Sequence, residues 1–439
     1  MARPIGATDG AASFVDSGSS GGGPQADRLP MQMSKIAVAA AVLVPLVSGG
    51  VVSGSRPGGD EGWERMTEWV RRAESAWEQR SFERAPIWGT ATDGEAFEAY
   101  AEAIAATTAL GREDEVLLRR LRLHPDQVEA AEAESFALRW QRPLASMSTG
   151  AHRRSARPPV DWRRGASGSP SRLLVYRDLV NAATIEVRRR LARGERRAAV
   201  ELSLDAATFG TDLVRSPMLI DQMVACALIA IAAGEAWSDE DLRRLDPESL
   251  RMLAEGLARI DQRFPLTVDW RGESLLLAGA LMRAGEGEGE GEELSGYAAA
   301  SARTPEDGGS ERWAVAGAVL QQVALWERLR QSAAAPWQVR EQELERLTSD
   351  AAVQQNPVMK TSLPIFRSAE LSLRVTAAAV RLLRLAVALH AGQEPVALLD
   401  PLGDGPLRVV QRADGSTLLR SAGWTSGRTN VLERVLRPR

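Results

Sequence analysis

The sequence predicts a mainly α-helical protein, an irregular array of helical hairpins ending in a small C-terminal β-hairpin. Three observations carry this. Apolar residues recur at three- and four-residue spacing through most segments after residue 60. Helix starts and stops are marked by Ser and Asp caps, proline and glycine. A pattern of short strands around turn residues occurs once, after residue 400. At 439 residues, 44% hydrophobic and 26% charged, the chain can bury a sizeable core.

Residues 1–32 are a Gly/Ser-rich stretch, read as a disordered tail or a misassigned start, with Met31 or Met33 as the alternative first residue. Residues 33–54 read as a signal peptide or membrane anchor. Lys35 precedes the uncharged run Ile36 to Val52, and the polar exit SGSRPGGDEG follows it. The expected location is the bacterial cell envelope, periplasmic or on the extracytoplasmic face of the inner membrane. Residues 36–52 are the membrane contact if the segment stays uncleaved.

Residues 55–147 form an N-terminal helical region. Trp63, Met66, Val70, Ala73 and Trp77 draw one apolar stripe, and Asp93 is expected to cap the helix GEAFEAYAEAIAATTAL that Gly111 ends. Residues 148–170, dense in Arg, Pro, Gly and Ser, read as a linker. The central helical domain, 171–284, opens with a hairpin: Ser171–Arg193, a stop at Gly194, then Glu195–Val214. MVACALIAIAAG, too short to span a bilayer, reads as the central buried helix with Cys226 in its core. Ser238 and Asp246-Pro247-Glu248 mark two helix starts, the second leading a stripe of Leu250, Leu253, Leu257 and Ile260. Residues 285–310 hold the run GEGEGEGEE, which has nothing to bury and reads as a mobile loop. The C-terminal helices, 311–397, are expected at Glu311–Gln331, Pro336–Thr348 and Phe366–Ala391. The tail, 398–439, reads as two strands joined by a turn at Asp414-Gly415.

Little points to chemistry. The formal net charge of -4 gives no electrostatic case for nucleic acid, and only Lys35 and Lys360 are lysines among many arginines. One cysteine excludes an internal disulfide and cysteine-based metal clusters. Phosphate loops and dinucleotide fingerprints are absent, so no cofactor, metal or catalytic residue is assigned. His124, His152 and His390 stand far apart in different contexts and read as structural or solvated. Gly18-Ser19-Ser20-Gly21-Gly22 matches the nucleophile-elbow spacing but follows no strand. The arginines at 153, 154, 157, 163 and 164 read as a solvated loop. VDWR occurs twice, at Val160–Arg163 and Val268–Arg271. A cleft, if built, would gather Asp161, Trp162, Asp269, Trp270, Arg271 and Glu273, acids and tryptophans of the kind that suit saccharides.

The tail DPLGDGPLRVVQRADGSTLLRSAGW resembles the C-terminal segment of pseudopilin-like proteins of type II secretion, through Asp400, Pro401, Gly403, Pro406, Leu407, Arg408, Asp414, Gly415, Ser421 and Gly423. It departs from them in having Thr425-Ser426-Gly427-Arg428 where some carry calcium-holding acids, and in lacking their N-terminal assembly helix with its Glu. The chain is also similar to a group of large uncharacterised bacterial envelope proteins with an N-terminal anchor, a helical body and this tail. VDWRRG at 160–165, ARGERRAAVEL and LDPESLRMLAEGL carry that likeness. The resemblance implies interaction through Asp400, Pro401, Arg408, Asp414 and Gly415, and implies no activity. The expectation is an exported or anchored, non-catalytic scaffold binding an unknown envelope protein. The alternatives are a hydrolase of envelope polymers or a carrier of an apolar ligand.

Overall fold

The computed structural model describes residues 59–162, 173–286, 308–425 and 429–438. The expected start, signal or anchor and nucleophile-elbow match, and most of the Gly/Glu run, lie outside them. Among the described residues, no helix is long and apolar enough to cross a membrane.

The architecture is mainly helical, with small sheets. Helix α1 (Gly59–Glu78) is followed by an irregular strap, residues 79–91, and the short strand β1 (Thr92–Glu95). Next come α2 (Ala96–Thr108), α3 (Arg112–Leu123), α4 (Ala130–Ala151) and strand β2 (Arg153–Ser155). The central helices are α5 (Leu173–Ala192), α6 (Arg196–Leu213), α7 (Leu219–Ile229, running into a π turn over Ala230–Glu235), α8 (Asp239–Arg244), α9 (Pro247–Arg263) and α10 (Trp270–Glu286). The C-terminal part has α11 (Gly308–Gln331), α12 (Trp337–Thr348), α13 (Ala351–Gln355), α14 (Pro357–His390) and strands β3 (Arg408–Gln411), β4 (Thr417–Arg420), β5 (Trp424–Thr425), β6 (Thr429–Asn430) and β7 (Glu433–Leu436).

Helix α6 is the hub, buried almost without interruption from Ala199 to Leu213. A helix apolar or small on all sides has to be enclosed, and α4, α5, α7 and α9 enclose it. The main core runs from Ile87 to Leu436, so the N-terminal helices, the centre and the tail share one interior. A smaller cluster joins α1 to α10 and α11 through Met66, Val70, Leu275, Leu276 and Val319, and the Trp63–Trp77 stripe packs there.

Several local expectations hold. Gly194 ends α5 at φ +78, with Glu195 N–H on Arg190 O at 2.9 Å, the geometry that closes a helix on a left-handed residue. Ser238 and Asp246 cap α8 and α9 by accepting from Asp241 N and Ser249 N. Leu250, Leu253, Leu257 and Ile260 are buried. So is Cys226, whose thiol burial pushes up to about 12.

Others need correction. Asp93 caps nothing: it is drawn into β1, parallel to β2, and α2 opens at Ala96. Residues 148–151 of the expected linker are the last turn of α4. Helix continues there because Gly150 lets the Tyr100 ring lie where a Cβ would meet it at 2.3 Å. Helix α10 continues to Glu286, two residues into the expected loop. Helix α14 starts at Pro357 under an Asn356 cap, ahead of the expected Phe366, and holds Pro364 inside it. The tail has three antiparallel strands in the order β3-β4-β7, because Glu433–Leu436 returns to pair with β4.

Candidate functional site

The residues expected in a cleft start from one short stretch of backbone and diverge. At the head of α10, Trp270 turns into the main core, stacked on Trp326 at 4.1 Å and edge-on to Phe366 at 3.8 Å. Arg271 turns out to Glu327, at 2.7 and 3.1 Å. Asp269 is exposed and lies 3.6 Å from Arg80. Glu273 turns toward the start of α7, where its carboxylate accepts Leu219 N–H at 2.5 Å. Burial, reinforced by the nearby Asp221 carboxylate, pushes Glu273 up to about 7. Asp161 is exposed, while Trp162 is buried in the smaller cluster, edge-on to Trp77 at 5.5 Å. The two VDWR copies therefore occupy different surroundings, because one tryptophan packs on α1 and the other on α11 and α14.

The tail residues are brought together, and most of them fold the tail itself. Asp400 accepts Leu402 N–H at 3.0 Å and Ala422 N–H, tying the first turn to the strand that follows. Gly403 packs where a Cβ would reach Ala422 at 2.9 Å, and Gly423 at φ +82 lies against Asn430 O. Asp414 accepts Ser416 Oγ–H at 2.6 Å and Ser416 N–H at 2.9 Å, which hold its carboxyl below the usual range. Gly415 follows at φ +79 and completes the turn. The body grips this unit through carbonyls: Arg374 donates to Pro401 O, Arg381 to Leu399 O and Gln338 to Leu402 O. Arg374 is itself set beside the buried Arg340–Glu370 pair, bonded at 2.8 and 3.1 Å.

One side of this sheet is open. Strand β3 is exposed at all four residues, Arg408, Val409, Val410 and Gln411, and among the described residues only β4 pairs with it. Arg412 N–H reaches Ser416 O, so the antiparallel alternation turns the N–H and C=O of Val409 and Gln411 outward. Exposed Leu399 stands in the same tail, and exposed Val396 just ahead of it.

Sequence reasoning missed a second polar centre, inside the hub. Asp205 and Asp212, two turns apart on α6, are both buried. Asp212 accepts Tyr100 Oη–H and Arg84 Nη2–H, each at 2.7 Å, while Arg84 also donates to Gly150 O and Ala151 O. Burial and the Asp212 carboxylate push the Tyr100 hydroxyl well above its ordinary range. Asp205 accepts Trp88 Nε1–H at 2.7 Å and lies 3.3 Å from His152 Nε2. Burial raises Asp205, and the hydrogen bond to Asp205 in turn raises His152. The His152 ring also bonds the backbone at Thr90 and packs edge-on to Trp88 at 4.5 Å. An imidazole engaged by both a carboxylate and the backbone is a clasp for the strap, with little left to offer a substrate. The signal for this centre was Asp205 and Asp212, seven residues apart in the small and apolar stretch Leu202–Leu213 of α6.

No family model, curated protein or solved structure matches the chain.

Proposed function

We propose that the chain is a non-catalytic scaffold of the bacterial cell envelope, exported or held at the membrane through residues 36–52, whose C-terminal sheet accepts an extended segment of a partner protein along β3. The observation that carries this reading is the open edge of β3. Soluble proteins normally blunt such an edge, and one with outward N–H and C=O groups beside two exposed valines is a template for strand addition. Exposed Arg408 and Arg412 favour a segment bearing acidic side chains. The pseudopilin-like tail and the envelope location enter as resemblance and sequence pattern, and they agree with a partner-binding role. The hydrolase alternative lacks comparable support, since Asp269 and Glu273 face different surroundings.

A photoreactive residue placed at Gln411 in intact host cells tests the reading. It is expected to capture one dominant envelope protein that the same group at Val116, exposed on α3, does not. Val409→Pro, which removes one outward N–H and leaves the pairing with β4, is expected to abolish that capture. Identical capture from both positions, or capture untouched by Val409→Pro, refutes the role of the edge.

A further inference from the structure

The strap over residues 79–91 is held down by arginines. Arg157 donates to Glu78 O at the end of α1, where the strap begins, Arg215 to Ser81 O and Phe82 O, Arg263 to Ala85 O, and Arg259 to Pro86 O and Ile87 O. Arg84, within the strap, points inward to Asp212 with its side chain 4% exposed. The successive carbonyl contacts place Arg215, Arg84 and Arg263 side by side under a few residues of chain. Arg80, Arg157 and Arg215 also ring the buried Phe82 side chain, at 5.5, 5.7 and 5.3 Å from its centroid. Exposed Arg80 and Arg157 thus flank the inner group.

Charge does not balance here. Asp212 pairs with Arg84 and is shared with Arg215 and Arg263, which it also attracts, and Asp269 answers Arg80. The guanidinium hydrogen bonds of Arg157, Arg215, Arg259 and Arg263 go to backbone carbonyl oxygens, which carry no full charge. Asp205 is engaged by His152 and Trp88, and the Glu95 carboxylate accepts the Arg157 backbone N–H at 3.2 Å. Two guanidinium N–H groups, Arg84 Nε and Arg263 Nη1, are buried with no acceptor. Buried cationic donors left without acceptors cost several kcal/mol, which an anion in their midst offsets. Burial and the adjacent arginines hold both Arg215 and Arg263 below the ordinary guanidinium range, as expected of crowded positive charge.

We infer that Arg84 Nε, Arg263 Nη1 and the Arg215 guanidinium form a binding site for a phosphate-class oxyanion beneath the strap, entered past Arg80 and Arg157. The planar fork of arginine matches tetrahedral oxyanions, and several forks around one point select a doubly charged group over chloride. The anion would lock the strap, and with it α1, onto α6 and α9. The site is separate from the β3 edge and does not depend on the scaffold reading.

The test uses the full chain and inorganic phosphate. Thermal unfolding is followed in phosphate and in chloride of equal ionic strength, and phosphate affinity is measured by calorimetry. Phosphate is expected to raise Tm above the chloride value. Arg263→Gln and, separately, Arg215→Gln are expected to weaken binding by about tenfold or more, since each removes a charged donor. Vesicles containing phosphatidic acid, compared with neutral phosphatidylcholine vesicles, separate the sources of the anion. Extra retention that is lost in Arg263→Gln assigns a lipid head group, and a response to soluble phosphate alone assigns a free phosphate. Equal Tm in phosphate and chloride without Arg263-dependent retention overturns the site, as does undiminished binding in either variant that folds.

Discussion

Glu273 makes stability depend on pH in a window where ordinary glutamates have finished titrating. Its partly buried carboxylate sits at the first turn of α7, bonded to Leu219 N–H, with Ser216 Oγ–H held on the neighbouring Asp221 at 2.6 Å. Burial first and Asp221 second push it from the usual 4.5 to about 7. Between those values the unfolded chain releases the proton and the folded chain keeps it. Stability is therefore full below pH 4.5, falls as pH rises to about 7, and is flat beyond. At about 1.4 kcal/mol per pH unit, the whole shift corresponds to ~3 kcal/mol, an upper bound for a carboxyl still in partial reach of water. Glu273→Gln keeps an oxygen for Leu219 N–H and cannot ionise. The measurement is the urea midpoint of wild type and variant at intervals from pH 4.5 to 8. The two curves should lie close at pH 4.5, with the variant gaining roughly 2–3 kcal/mol over wild type by pH 8. A wild-type-minus-variant difference that does not change with pH would refute the reasoning.

Further predictions follow from packing and charge. Glu370→Ala should cost about 3–5 kcal/mol in chemical denaturation by leaving Arg340 charged in a fully buried place. An Arg340→Met, Glu370→Leu double variant should recover most of that loss. Gly272→Ala should destabilise by at least ~1–3 kcal/mol, read as a lowered Tm, because its Cβ would stand 2.0 Å from Pro217 O, which is backbone and has no rotamer to yield. Val409→Lys should leave stability within about 0.5 kcal/mol, since the side chain already meets solvent, and a larger loss would mean the edge is covered. Cys226 should resist thiol reagents in the native protein at pH 8 and react only on unfolding, which time-resolved labelling reads directly.

Much of the helical build was legible from local signals. The stripes of α1 and α9, the Ser238 and Asp246 caps and the Gly194 stop each depend on residues a few positions apart. Where local signals misled, a distant contact had won. The last long helix reads as starting at Phe366, yet α14 opens at Pro357 and passes through Pro364, packed between the centre and the tail. Ser148-Thr149-Gly150 reads as loop, yet Tyr100 packing on Gly150 keeps it helical. The hairpin signal around Gly415 was sound, but the third strand was not visible, because Glu433–Leu436 has no partner nearby in sequence.

The candidate sites divide along the same line. The tail's turn residues could be named from the sequence because Asp400, Asp414 and Gly415 act on backbone within a few positions. That β3 would be left as an edge could not. The acids and tryptophans at 161–162 and 269–273 look alike as text, but helix geometry sends neighbouring side chains in different directions, so proximity in sequence did not become a cleft. Arg84, Tyr100, His152, Asp205 and Asp212 meet only because the strap, α2, the end of α4 and α6 converge. The sequence by itself determined the helical class, the caps and stops and the turn chemistry of the tail, all products of short-range periodicity and backbone hydrogen bonding. Only the tertiary structure decided which charges are buried together and which strand stays open, because those depend on the meeting of surfaces whose residues lie from tens to more than a hundred positions apart.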